Sequence, residues 1–202
     1  MKKTLIVAAC STLLAACGGG GSDSSSPVNN TPALTPLSVY AGTWQSPCDD
    51  YEIDTLTLSN KADGSLEVTI KAEHFQSASC AGAPIATQTT TTNPSISYLS
   101  TADTAVQAGI GKPPTTTRID KVNINIPPHN VVVTGPGVQR VVESGQAKWC
   151  FNVNSTSRTC IDDPGTTTAQ ASTGGMYISG NTLYLLSPTG PTYTVDEFYT
   201  RK

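Results

Sequence analysis

The chain has 202 residues, 13 % of them charged and 37 % hydrophobic, with a formal net charge of −3. That length suits one domain with a core of ordinary size. An acidic balance without a basic patch excludes nucleic acid as the expected partner.

The chain opens with Lys2 and Lys3 and then an apolar run over 5–14. A basic start and a short apolar core form a signal-peptide pattern, too short for a stable membrane span. The run ends in Leu14-Ala15-Ala16-Cys17, which resembles the lipobox of bacterial lipoproteins. The resemblance implies removal of 1–16 and attachment of acyl chains (palmitate among them) to Cys17. Two or more chains give stable membrane anchoring. Val7-Ala8-Ala9-Cys10 also fits a loose lipobox, but leaves a shorter apolar core than signal peptides carry. Gly18 stands where an aspartate would retain such a protein at the inner membrane, so the resemblance implies an outer-membrane lipid anchor in the cell envelope. Without 1–16 the charge is −5, ten Lys and Arg against fifteen Asp and Glu.

Cys48, Cys80, Cys150 and Cys160 remain. An even number in an oxidising compartment predicts two disulfides. Three pairings are open; Cys48–Cys80 and Cys150–Cys160 are preferred as near neighbours flanking strand-like segments. Zinc is disfavoured, because the spacings are wrong and no histidine sits beside either pair. Residues 17–36 carry the lipidated cysteine and a Gly/Ser/Pro tether with a reach of roughly 20–25 Å.

The domain is expected over 37–202, and strand signals run along it. Threonine runs at 89–92, 115–117 and 166–168 favour strands over helices. Residues 55–59 alternate, Asp63-Gly64 marks a tight turn, and Leu66, Val68, Ile70 and Ala72 share one face of the next strand. A short strand follows over 83–91. The stretch 94–114 has no sustained period and reads as a loop. Its Gly109-Ile-Gly-Lys112-Pro lacks the leading glycine of a phosphate loop, and a proline follows the lysine. Strands resume over 116–126, 130–134 and 146–153. In the last, Ala147, Trp149, Phe151 and Val153 share a face, and Cys150 lies opposite, so a Cys150–Cys160 bridge would clamp a hairpin from outside the core. Gly180-Asn181 turns a hairpin within 176–187, and 192–200 is the last strand. About eight to ten short strands at this spacing predict an all-β fold. Sequential hairpins favour an antiparallel up-and-down barrel of eight or more strands, which removes exposed edges.

Gly42-Thr43-Trp44 is similar to the Gly-x-Trp signature of lipocalins and related calycins. That resemblance implies a lipocalin-like barrel closed at one end by Trp44, with Arg201 packed against the indole. The Gly-Thr-Trp-x-x-x-Cys start, Cys80 and the Tyr-Thr-Arg end also resemble a group of uncharacterised small bacterial lipoproteins.

Catalytic chemistry is hard to assemble here. His74 ends an apolar strand face and reads as a polar rim; His129 reads as a surface residue. No nucleophile motif, metalloprotease motif or paired catalytic constellation occurs. Asp49-Asp50 and Asp162-Asp163 read as solvated turn carboxylates rather than calcium ligands. Trp44, Tyr98, Trp149, Phe151 and Tyr184 either line a pocket or fill the barrel. No enzyme, cofactor or metal is expected. The expected partners are the membrane through its anchor and a small hydrophobic ligand or an envelope protein; a side-chain-filled barrel without ligand is the alternative.

Overall fold

The structure, a computed structural model, describes residues 35–202 apart from Ile110 and Ser155. The signal-like segment, Cys10, Cys17 and the tether up to residue 34 lie outside the described residues. A 3-10 helix at Pro36–Tyr40 leads into β1 (Gly42–Gln45), β2 (Glu52–Asn60), β3 (Leu66–His74), β4 (Ala86–Thr90), β5 (Ser95–Gln107), β6 (Thr115–Ile126) and β7 (Val131–Thr134). Then come β8 (Gln139–Glu143), β9 (Gln146–Asn152), β10 (Arg158–Asp162), β11 (Gln170–Ser179), β12 (Thr182–Thr189) and β13 (Thr192–Arg201).

The backbone closes into a ring. Antiparallel pairing runs β1-β2-β3-β5-β6-β11-β12-β13 and returns to β1, eight strands in chain order. The fold is all-β and barrel-like. β4 and β7 extend the sheet outward from β3, and β8, β9 and β10 form a separate three-stranded sheet. A short parallel pair, Tyr193 and Thr194 with Val106 and Gln107, also ties β13 to β5.

The stretch 94–114, expected as a loop, instead contains β5, which pairs with β6 along almost its whole length. Its alternation is hidden for two reasons. Leu99 is an extra residue, since Tyr98 pairs with Val122 and Ser100 with Lys121. Of its thirteen residues only Ile96 and Val106 are buried, so no apolar period survives.

The inner face of the ring carries the main core. Trp44, Leu56, Leu58, Leu66, Val68, Val122, Met176, Leu183 and Tyr199 pack with Leu37 and Tyr40 of the 3-10 helix. Each fully buried aliphatic side chain contributes about 1.5–3 kcal/mol. Trp44 Nε1 donates to the Tyr40 carbonyl at 2.8 Å, and Tyr40 Oη donates to Asp120 Oδ2 at 2.7 Å, so the polar ends of both aromatics are satisfied. Ile70 shares the inward face with Val68 and Ala72 but stays 39 % exposed, so the ring is not filled along its full height.

A second core lies between the β4–β7 extension and the three-stranded sheet, where Ala86, Val133, Phe151 and Val153 pack together. A third unites Val106, Ile119 and Leu186 with Tyr193 and Val195. There Gly175 is needed for packing: an added Cβ would sit 2.8 Å from Ile119 Cδ1.

Disulfides join Cys48 to Cys80 and Cys150 to Cys160. The second pair sits directly opposite in the β9–β10 ladder. Cys150 is buried rather than lying on a wet outer face, with β10 and β8 paired along its two edges. Two disulfides mark an extracytoplasmic protein.

Candidate binding site

Two ends of the ring differ in how they close. At one, Trp44 pairs with Arg201 in the β1–β13 ladder, and the guanidinium carbon lies 4.3 Å from the indole centroid. Arg201 also donates to the carbonyls of Ala41 and Val39, at 3.4 and 3.2 Å. Lys202 N–H donates to the Thr43 carbonyl, and Arg201 N–H to that of Asn181. Cation, aromatic face and main chain lock this seam.

The other end is open. β1 stops at Gln45, opposite Thr200, and β5 meets β13 only at Tyr193 and Thr194. Between these contacts, residues 195–199 of β13 have no strand partner on that edge among the described residues. Asp196 is an extra residue, since Leu185 pairs with Glu197 and Leu186 with Val195. The bulge re-aims Asp196 and Glu197 toward the gap.

Two spaces meet there. One is a cavity of about 550 Å³ on the inner face of the ring, lined by Ile96, Val122, Ile124, Met176 and Leu185, with Ser187, Asp196 and Glu197 at its rim. The other is a cleft of about 590 Å³ lined by Asp49, Asp50, Glu52, Asp54, Asp196 and Glu197, with Phe198 and Tyr199. Asp196 and Glu197 belong to both walls. A third space, about 420 Å³, shares Asp50 and Glu52 with the cleft and continues past His74 to Phe151.

Local structure explains how the acids are gathered. The chain turns back at 49–52 through reciprocal main-chain bonds between Asp49 and Glu52. Asp50 and Tyr51 both take left-handed backbone angles, φ 43° and 67°, which non-glycine residues adopt at a cost of order 1–3 kcal/mol each. The Cys48–Cys80 bridge holds this turn, and Tyr51 packs on the second core.

Burial pushes the Asp54 carboxyl up to about 6; Glu52 and Glu197 add to this and His74 opposes it. Burial, then Asp50, also raises Glu52. Burial and a hydrogen bond to Glu197 raise Tyr199. His74 moves the other way: burial lowers it, with Asp54 pulling against that. Burial thus disfavours the charged imidazole. Its Nδ1 lies 3.4 Å from Glu52 Oε2, and its Nε2 is buried with no hydrogen-bond partner.

No family model, no curated protein and no solved structure matches the chain.

The remaining residues singled out from sequence distribute as follows. Asp162 and Asp163 lie away from the cleft; Asp163 accepts from Arg140 at 2.7 Å, which lowers its carboxyl, and Asp162 lies 3.5 Å from Lys148. His129 is half-buried rather than on the surface, its Nδ1 near the Pro127 carbonyl and Thr167. His74 is no polar rim, because β4 and Phe151 cover it. The five aromatics do not share a pocket. Trp44 belongs to the main core, Trp149 and Phe151 belong to the second, Tyr98 is exposed, and Tyr184 stacks on Tyr177. Among the described residues, the one group of three potential metal ligands is Glu143 with the disulfide sulfurs of Cys150 and Cys160, which have no thiolate to offer.

Asp54, Asp196 and Glu197 were not singled out from sequence. Asp54 carries a legible signal: it shares the inward parity of Leu56 and Leu58 in β2. The acids of β13 carry none, since the bulge shifts their parity and they lie more than a hundred positions from Asp54.

Proposed function

We propose that this protein is a lipid-anchored envelope lipoprotein whose lipocalin-like barrel binds a small hydrophobic molecule. The observation that carries the reading is the cavity of about 550 Å³ on the inward face, walled by Ile96, Val122, Ile124, Met176 and Leu185. A concave, mostly apolar space with a few polar groups at its rim is the usual form of a small-molecule site. The lipobox-like Leu14-Ala15-Ala16-Cys17 supports attachment to the outer membrane through Cys17, and the two disulfides fit that side of the cell.

Native mass spectrometry of the full chain, isolated from a cell envelope with its disulfides formed, tests the binding reading. A reproducible extra mass lost on denaturation is the expected result. A bare chain that also takes up no hydrophobic probe would move the reading to the alternative, an interaction lipoprotein without ligand. For the anchor, a Cys17→Ser variant is expected to leave the membrane fraction; continued sedimentation with membranes would overturn lipidation there.

A further inference from the structure

We propose that the ligand is an amphipathic organic cation, its apolar body in the barrel cavity and its ammonium group in the carboxylate-lined cleft. This rests on the ligand-binding reading above and names the class of ligand.

The first ground is continuity. Asp196 and Glu197 form wall of both spaces, so a molecule lying among Ile124, Met176 and Leu185 ends beside Glu197. Glu197 faces that cavity because it stands opposite Leu185 in the β12–β13 ladder. Tyr199 donates to Glu197 Oε2, and Ser187 donates to Asp196 Oδ2, which fixes both carboxylates at the rim.

The second ground is missing countercharge. Four carboxylates elsewhere on the domain have a lysine or arginine partner: Glu73, Glu143, Asp162 and Asp163. Among the described residues, none of the six acids lining the cleft has one; Glu52 alone has a basic neighbour, His74, whose charged form burial disfavours. No lysine or arginine lines the cleft or the cavity. Glu52 and Asp54 are half-buried, where like charges without a counterion are costly, and a cation entering the cleft relieves that cost.

The third ground is His74, independent of the acids. It is 93 % buried, it lines the space that shares Asp50 and Glu52 with the cleft, and its Nε2 has no partner. On the tautomer that puts the proton on Nδ1, against Glu52 Oε2, Nε2 is an acceptor without a donor. An ammonium group supplies several N–H donors. A carboxylate or phosphate head would bring only lone pairs to a wall already made of carboxylates. A bare metal ion fits less well, since among the described residues no three of these ligand atoms converge.

The test is calorimetric titration of the full chain, disulfides formed, with decylamine, decanol and decanoate below their micelle concentrations, and with spermidine. Decylamine is expected to bind about ten-fold or more tightly than decanoate, the usual scale of a charge-assisted hydrogen bond. Glu197→Gln is expected to weaken decylamine by a similar factor and leave decanol unchanged. If that variant misfolds, wild-type binding of decylamine must still weaken with added salt while decanol binding does not. Equal affinity for all three C10 probes would overturn the cationic class and leave the hydrophobic reading standing. Binding of spermidine but of no C10 probe would overturn the role of the cavity. Binding of none would overturn both readings.

Discussion

The two stretches of β13 make opposite uses of one strand. At Thr200 and Arg201 it is bonded on both edges, the inward Tyr199 just before them is buried, and its cation lies on Trp44. From Asp196 to Phe198 one edge is bare, the residues are exposed, and the charges that gather there are all of one sign. The first stretch shows what a barrel needs to close. The second shows that closure was not extended along the strand, for residues 195–199 stay unpaired on that edge among the described residues. The chain instead leaves β13 after Gln45, turns back at 49–52 and brings carboxylates to the gap.

The contrast can be broken most forcefully at the closed end. Trp44→Ala empties the centre of the main core and is expected to destabilise the domain by about 3–5 kcal/mol, read by denaturant unfolding. A loss under 1 kcal/mol would mean that the seam does not organise the barrel. Replacing Cys48 and Cys80 together by serine is expected to cost about 2–4 kcal/mol, because the bridge closes a loop of 32 positions. Since that bridge holds the acidic turn, protease cleavage near Asp50 should accelerate as well. Arg201→Ala removes a cation–π contact and two hydrogen bonds to carbonyls, for an expected loss of about 1–2 kcal/mol and a changed Trp fluorescence. Unchanged emission in the folded variant would separate Arg201 from the indole.

The smallest expected effect sharpens the open end. The folded Asp54 carboxyl titrates near 6, above its ordinary 3.8, so the fold favours its neutral form. The stability this contributes is full below pH 3.8 and is lost as pH rises through 6. His74, lowered, works in the other direction and loses stability as pH falls below its ordinary 6.5. Comparing wild type with Asp54→Asn keeps the histidine in both chains, although the variant lacks the Asp54 pull and its His74 is lowered further. The variant should melt about 2–4 °C higher at pH 7, a modest gain because the site is half solvated, and the gap should close by pH 4. A gap independent of pH would remove Asp54 from the set of uncompensated charges.

Much of the fold can be read from sequence wherever one face of a strand is buried and its turn is tight. β2 and β3 around Asp63-Gly64, and β11 and β12 around Gly180-Asn181, satisfy both conditions. β5 satisfies neither: its bulge at Leu99 breaks the alternation and its wet residues conceal the strand. β8 is equally silent, with no buried residue in it. The candidate site is less legible than the fold, for a physical reason. Asp49 and Asp50 look like any turn carboxylates, and only the ring brings them to Glu197. His74 looks like a strand end until β4 and Phe151 cover it.

The closing of the ring by its first and last strands has a consequence for biogenesis. Trp44 finds its final partner only when Arg201 is present, so no N-terminal portion emerging from a translocation channel can complete the barrel. The β1–β3 sheet must wait with its apolar face uncovered until the whole polypeptide has crossed. Contacts of such high sequence separation fold slowly. Protection of that apolar face and timely oxidation of Cys48 and Cys80 therefore matter more to the yield of this protein than the intrinsic strength of any one strand pair.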